Sequence, residues 1–396
     1  MLTITTTEKR EEPSVVRNGT YPVGKVLFVI DTLEVGGAEQ SLLDLVTRFS
    51  TLEPVVCHVY AGETLKPQFT ASGIRVRSIG LRQKYGWVTA YQKLKAVLQE
   101  EAPDLVVAYL TRSELLSRVL CRQLHIPVMG TFVSDLYGKS YNHSLSRKAQ
   151  WGVAFFKWLN RITAGYCAGF IANSESIAQA NAAQLGIPAA KIQVINRGRD
   201  SRRFVFKPRT VLPGKPIRFL HVGRLVPVKG HHDLLHAFHA FVQQHPAAQL
   251  HLAGEGPERS GLTQLMTQLG LSGNVQLLGI RTDIPMLLQQ YDCFVFPSLS
   301  EGFSGAVVEA MLSGLPVLAS AIPANKEVLQ HLQTGYLFSS NEVASLTAAL
   351  HWFQAHRAEA LTMAAAAHTY ALEHFELDDI AARMEAYLQT IIAHLA

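Results

Sequence analysis

Short apolar runs alternate with amphipathic helical stretches along almost the whole chain, and they do so in two successive series. In the first, strand-like runs fall at 25–30, 55–60, 74–79, 105–109, 128–132, 169–172 and 193–195, with helical patterns at 87–100, 112–124, 144–164 and 174–185 between them. The second starts after the proline-rich stretch 208–216, with strands at 217–222, 250–253, 274–279, 292–296 and 315–319 and helices over 343–396. Continuous apolar strands separated by helices demand a parallel sheet covered on both faces. The prediction is an α/β protein of two Rossmann-like, doubly wound domains. The expected boundaries are a tail at 1–22, a first domain at 23–205, a second at 206–375 and a terminal helix at 376–396.

At 396 residues, 48% hydrophobic and 17% charged, the chain can build two ordinary cores. No apolar run is long enough to span a membrane. The polar N-terminus lacks the apolar region of a signal peptide and reads as a tail. The four cysteines, Cys57, Cys121, Cys167 and Cys293, are scattered. They read as free thiols in a reducing cytosol, so a cytoplasmic protein is expected. Residues 1–210 hold 27 Lys and Arg against 16 Asp and Glu, whereas 211–396 hold 9 against 15. A basic first half suits phosphates or an anionic membrane face, unless it is simply a solvated surface. Nucleic acid is not expected, because the cations are not interleaved with aromatics in a binding module.

The most informative stretch follows the strand at 292–296. Pro297 stops the strand, and the loop Ser298-Leu299-Ser300-Glu301-Gly302-Phe303 leads into a helix opened by Ser304-Gly305-Ala306. Glu309 lies further along that helix between Val308 and Ala310. Two glutamates on a solvated face are the plain alternative. However, a carboxylate in apolar surroundings needs a partner, and small residues at a helix start suit an anion or a sugar hydroxyl. A glycosidase pair is disfavoured: eight helical steps span about 12 Å, beyond the roughly 5–9.5 Å between hydrolytic carboxylates.

The Glu301-x7-Glu309 spacing, inside Pro-Ser-x-x-Glu-Gly-Phe…Glu-Ala-Met-x-x-Gly-x-Pro-Val, resembles the donor-binding signature of the retaining glycosyltransferases of family 4, which have the GT-B fold. The resemblance covers about residues 25 to 390, and it implies that the two doubly wound domains face each other across a cleft and that the helix at 376–396 crosses back onto the first domain. It implies that Glu309 accepts ribose hydroxyls and that Glu301, with Phe303, Ser304, Gly305 and Ala306, lies near the transferred sugar and diphosphate. Gly223-Arg224-x4-Lys229-Gly230 matches the family's phosphate-binding loop. A guanidinium fork, a point charge and a helix start suit a diphosphate on physical grounds as well. Gly254-Glu255-Gly256-Pro257 is similar to a family turn near the nucleotide. It is no dinucleotide fingerprint, since Arg259 occupies the sixth position. Ile280 and Arg281 belong to the loop that, by resemblance, borders the base.

In the first half, Gly36-Gly37-Ala38-Glu39 opens a helix directly after the first strand. A tight turn would explain the glycines, and so would close approach of a ligand. The loop also resembles the family's Gly-Gly-Ala-Glu, which borders the donor diphosphate and acceptor. Two departures stand out. Val133 replaces a histidine that usually contacts the transferred sugar, leaving Ser134, Asp135 or His143 as stand-ins and no side-chain base assigned. The paired glycines common in the family are missing at 320–327. Asn196-Arg197-Gly198-Arg199-Asp200 resembles the family's Asn-Gly-x-Asp turn with an inserted arginine. The cations around it are a solvated linker or, with Arg197, an anion-facing wall. The aromatic stretch Trp151–Phe170 is expected to pack in the core or between domains; an interfacial, lipid-facing surface is the alternative.

The resemblance implies transfer of a sugar, with retention, from a nucleotide diphosphate sugar to an acceptor hydroxyl in polysaccharide, lipopolysaccharide or glycolipid synthesis. A UDP-sugar is favoured, and the acceptor would be a glycan or lipid-linked. Arg224, Lys229 and Glu301 carry the catalysis. No cofactor and no metal are expected, and peripheral contact with an anionic membrane is a further expectation. The alternatives are a non-catalytic nucleotide-sugar-binding scaffold and another GT-B enzyme, an epimerase or phosphorylase.

Overall fold

The structure, a computed structural model, describes residues 23–82, 86–138, 147–211 and 214–395. The expected tail and His143 therefore lie outside the described residues.

The first unit runs β1 (Gly24–Ile30), α1 (Gly37–Val46), β2 (Leu52–Tyr60), α2 (Lys66–Ala71), β3 (Arg75–Leu81), α3 (Trp87–Glu101), β4 (Leu105–Ala108), α4 (Thr111–Leu124), β5 (Val128–Phe132), α5 (Arg147–Thr163), β6 (Gly169–Ala172), α6 (Glu175–Leu185) and β7 (Ile192–Val194). Its seven strands are parallel in the order β3-β2-β1-β4-β5-β6-β7. Period-2 alternation splits β1 between two cores. Val26, Phe28 and Ile30 pack on one face with Leu42 and Val46 of α1. Leu27 and Val29 pack on the other with Leu94 of α3 and Leu120 of α4.

The second unit runs β8 (Arg218–Val222), α7 (His231–Val242), β9 (Gln249–Ala253), α8 (Arg259–Gln268), β10 (Val275–Gly279), α9 (Ile284–Leu288), β11 (Cys293–Phe296), α10 (Gly305–Leu312), β12 (Val317–Ser320), α11 (Pro323–Val328), β13 (Tyr336–Phe338), α12 (Val343–Ala355), α13 (Arg357–Phe375) and α14 (Leu377–Leu395). Its parallel sheet has the order β10-β9-β8-β11-β12-β13. In both sheets the strand order reverses beside the first strand. That opens a crevice at the carboxyl ends between β1 and β4, and another between β8 and β11.

Helix α14 inserts Leu377, Ile380, Met384 and Leu388 into the core that contains β1 and α1. Buried Glu385 anchors it, its carboxylate accepting from the main-chain N–H groups of Ser50, Thr51 and Leu52 at 2.7–3.1 Å. The two chain crossings between units are joined: Arg199 N donates to Phe375 O at 2.8 Å, and Leu377 N to Arg199 O at 3.1 Å. All four cysteines are buried and free.

Helix α5 corrects one expectation. Of the aromatics in 151–170 only Phe170, in β6, lies in a core; on the helix itself Trp151, Phe155 and Trp158 are exposed and Phe156 is half-buried. Only Asn160 and Thr163 of the helix are buried. They are held by Arg118, whose guanidinium also pairs with the buried Glu114 at 2.7 Å. Among the described residues, no helix is long and apolar enough to cross a membrane.

Candidate functional site

The crevice of the second sheet collects the predicted donor residues from two loops. After β8, the chain turns through Gly223, Arg224 and Lys229 into α7. Gly230 allows the turn with φ +69°, and a Cβ there would lie 2.3 Å from Pro297 O, so the turn needs glycine. After β11, Pro297 to Ser304 runs into α10. Lys229 Nζ meets Glu301 Oε1 at 2.5 Å, both side chains being largely buried. The ammonium also lies over the Phe296 ring, 5.3 Å from its centroid. Arg224 is exposed and, among the described residues, forms no ion pair. Gly254 presses this loop from beside β9: a Cβ there would lie 1.9 Å from Gly223 O. Ile280 is exposed at the end of β10, and Arg281 is paired with Asp283 at 2.5 Å.

At the start of α10, buried Ser304 accepts at its main-chain oxygen from Val307 N and Val308 N, and its hydroxyl bonds Asn325 of α11. Phe303 is buried against Phe375, ring centroids 5.7 Å apart. Its role there is packing. Glu309 Oε1 accepts from Arg199 Nε at 2.6 Å. The same guanidinium covers the helix start, because a Cβ on Gly305 would lie 1.8 Å from its Nη2. Ala306 is only partly buried beside it.

The first unit contributes the opposite wall. Gly36 and Gly37 open α1; a Cβ on Gly36 would strike the Glu39 carboxylate, and one on Gly37 would lie 3.3 Å from Arg197 Nη1. Burial lowers the Arg197 pKa to about 10, opposed by the carboxylates of Glu39 and Glu301 and by Tyr109. Burial likewise raises Glu39, with Arg197 opposing the shift. Arg197 therefore faces both units. The other cations of this stretch turn elsewhere. Arg202 pairs with Asp200 and Asp378, Lys207 donates to Gln289 O, and Arg209 donates to the carbonyls of Leu288 and Ser313. Of the two readings of this cluster, Arg197 and Arg199 fit the cleft wall, and the rest are spent on the linker.

The units touch beside Glu301. A Cβ on Gly302 would lie 2.0 Å from Val133 O. Ser174 Oγ donates to Gly302 O at 2.8 Å. Glu327 of α11 accepts from Glu175 N and Ser176 N at the start of α6, both at 2.8 Å. Position 133 thus meets the other unit through its backbone. The Asp135 carboxylate turns to α6, where Gln184 donates to it at 2.9 Å, and the main-chain carbonyl of Ser134 accepts from Asn181 of the same helix.

Sequence reading missed the histidine pair beneath the Arg224–Lys229 loop. His221 and His231 are buried with ring centroids 4.7 Å apart, and His221 Nδ1 lies 2.9 Å from Val295 O. Burial pushes His221 well below its ordinary value and His231 down to about 4, so both are neutral. The signal was a histidine directly after Lys229-Gly230.

Residues 203–369 match the family model described as Glycosyl transferases group 1, and residues 35–203 match the one described as Glycosyltransferase Family 4. Among curated proteins, the chain is 28% identical over 268 residues to the UDP-Gal:alpha-D-GlcNAc-diphosphoundecaprenol alpha-1,3-galactosyltransferase of Escherichia coli, covering 65% of this chain and 68% of that protein. It is 32% identical over 202 residues to glycogen synthase of Mycobacterium tuberculosis, covering 50% of this chain and 49% of that protein. Apart from the galactosyltransferase, the chain spans about half or less of the length of the curated relatives it matches. Among solved structures, Anabaena HepE in complex with UDP and glucose aligns with a TM-score of 0.79 at 24% identity, over 93% of this chain and all of that one. A sucrose-phosphate synthase from Thermosynechococcus elongatus aligns at 0.76 and 19% identity, over 93% of this chain and 99% of that one. At these identities the structures show the shared fold.

Proposed function

The chain belongs to the family 4 glycosyltransferases and has their GT-B fold, and from that premise we propose that it transfers a sugar, with retention, from a UDP-sugar to the hydroxyl of a lipid-linked glycan. The observation that carries the reading is the convergence of Arg224, Lys229, Glu301 and the start of α10 at one strand-order switch point.

In the reaction the anomeric C–O bond to the diphosphate breaks, a bond forms from that carbon to the acceptor oxygen, and the acceptor proton leaves with the diphosphate. Charge builds on the leaving group. Lys229, held between Glu301 and the Phe296 ring, is fixed in advance to take it up, and exposed Arg224 on the same loop adds its guanidinium. That supply of positive charge is why the proposal includes no metal. Glu309 receives the ribose hydroxyls and Glu301 the sugar. Val133 offers only a backbone carbonyl, so no side-chain base is placed there.

The nucleotide assignment draws on one relative named for UDP-Gal and on a neighbour bound to UDP. The lipid-linked acceptor draws on the diphosphoundecaprenol of the same relative. A site at the inner face of a cytoplasmic membrane is part of the proposal. The second reading is a non-catalytic scaffold, favoured by Val133 and by the ion pairs that already engage Lys229 and Glu309.

A thermal-shift series with UDP, GDP and ADP on wild type and Arg224→Ala tests the proposal, since a ligand bound to the native state raises the midpoint. UDP is expected to stabilise the wild type and not the variant. Stabilisation by UDP without sugar transfer to any lipid-linked acceptor, and without loss on Glu301→Ala, would support the scaffold.

A further inference from the structure

Helix α5 turns its most hydrophobic stripe to solvent. Trp151, Phe155, Trp158 and Ile162 are 79%, 55%, 55% and 50% exposed. At 3.6 residues per turn these four positions fall within about 60° of one another. The inner face is the one that carries the hydrogen bonds, through Asn160 and Thr163 to Arg118. An exposed stripe with two indoles and a phenyl ring is not needed to hold the helix down.

The charges around the stripe have one sign. The helix carries Arg147, Lys148, Lys157 and Arg161 and no carboxylate. Arg147, Lys148 and Arg161 are exposed, and none of the four pairs with a carboxylate among the described residues. Lys157 lies over the Tyr137 ring.

An apolar groove of about 540 Å³ opens beside the stripe, walled by Trp87 and Tyr91 of α3, Leu115 and Val119 of α4, and Phe155 and Leu159 of α5. Its size falls in the range of sites that enclose a small ligand. Its lining selects a hydrocarbon.

Because β5 and β6 are parallel, α5 runs back along the sheet from the carboxyl ends of the strands. Its first turns, with Lys148 and Trp151, therefore lie at the edge where Gly36 and Gly37 open α1.

We propose that α5 docks this protein on an anionic lipid bilayer: the stripe enters the boundary between headgroups and chains, the flanking cations meet anionic headgroups, and the groove takes a hydrocarbon chain from that bilayer. Aromatic and aliphatic groups on one face with Lys and Arg at its margins form the pattern of an interfacial helix. A soluble acidic protein would pair the cations but leave the groove empty. The inference deepens the lipid-linked acceptor proposed above by naming the surface where it is met. Its test reads docking without turnover, so the two can fail separately.

The test is flotation of the full chain with vesicles of phosphatidylcholine, with and without phosphatidylglycerol. The wild type is expected to float with the anionic vesicles. Trp151→Ser/Trp158→Ser and Lys148→Glu/Arg161→Glu are each expected to lower the bound fraction about tenfold, with the UDP-induced thermal shift retained. Equal flotation of wild type and variants would overturn the docking, and so would no flotation at all. Self-association in sedimentation velocity that the serine variant abolishes, with vesicles ignored, would make the stripe an interface between copies and also overturn it. For the groove, a chain with Trp87 as its sole tryptophan (Trp151→Phe/Trp158→Phe/Trp352→Phe) is mixed with vesicles of chain-brominated anionic lipid. Quenching of Trp87 is expected; bound vesicles that leave it unquenched would overturn the chain seat.

Discussion

Arg199 and Glu309 meet across the boundary between the two units, with Arg199 Nε 2.6 Å from Glu309 Oε1 and less than a fifth of either side chain exposed. The arginine comes from the crossing that leaves the first unit, and the glutamate from α10. The carboxylate proposed to receive ribose hydroxyls is therefore already engaged. A nucleotide that uses Glu309 must displace this guanidinium or share the carboxylate with it.

If displacement holds, Arg199→Ala removes a competitor. UDP is expected to bind about fivefold more tightly, corresponding to roughly 1 kcal/mol for a partly exposed ion pair. Glu309→Ala is expected to weaken UDP by about 1.5–3 kcal/mol, the range for hydrogen bonds to a charged group. Isothermal titration of both variants decides the case. Weaker binding by Arg199→Ala would mean that the guanidinium touches the donor itself.

Lys229 has a different kind of partner. Its ammonium rests between Glu301 Oε1 and the Phe296 ring, so position and charge are set before any ligand arrives. Preorganised charge acts most on the transition state. Lys229→Met is thus expected to lower kcat about 10²- to 10³-fold, with a smaller change in KM for the donor. Steady-state kinetics with varied donor separates the two. A change confined to KM would reduce Lys229 to a binding residue.

Gly302 is where the second unit's loop meets the first unit's backbone. A methyl group at 302 would lie 2.0 Å from Val133 O and 3.3 Å from the Asn173 amide nitrogen. Neither neighbour is a flexible tip: Val133 O is backbone, and the Asn173 amide is held by a 3.0 Å bond to it. Gly302→Ala should hold the units apart while leaving each core intact. Expected are a fall in kcat of about tenfold or more, UDP binding close to wild type, and a larger radius of gyration in solution scattering. An unchanged radius with unchanged kcat would show that closure at this point is not required.

The paired parallel sheets were legible because β1 from Val26 onward and β11 are unbroken apolar runs. The donor loops were legible because glycines and charges sit directly after strands. What escaped the sequence depends on distance in the fold. Nothing local told that Arg199 would reach Glu309, 110 residues away, or that Arg202, Lys207 and Arg209 would turn aside. The short elements α2, α9, α11 and β13 carry too few residues to show a period. The aromatics of α5 were read as core because hydrophobicity alone does not say which face is covered. Glu114, Arg118 and Asn160 already hold the inner face, which leaves the indoles outside.

The histidine pair supplies a pH prediction. Burial holds His231 at about 4, below the ordinary histidine value of 6.5, and His221 is lowered in the same direction. Both are neutral in the native state, while the unfolded chain takes up protons below its own pKa. The sign follows: the stability they contribute is fully present above about pH 6.5 and is lost as pH falls toward 4. For His231 the loss at pH 4 is on the order of 3 kcal/mol. His221, whose ring meets that of His231 edge to face, would share part of any rearrangement. Because these rings lie beneath Lys229, their protonation should also release UDP over the same interval. Urea unfolding at a series of pH values between 8 and 4 measures the effect. His231→Gln, neutral throughout, is expected to flatten the dependence. Identical slopes for wild type and variant would remove His231 as the group responsible, and with it the coupling between this buried pair and the diphosphate loop.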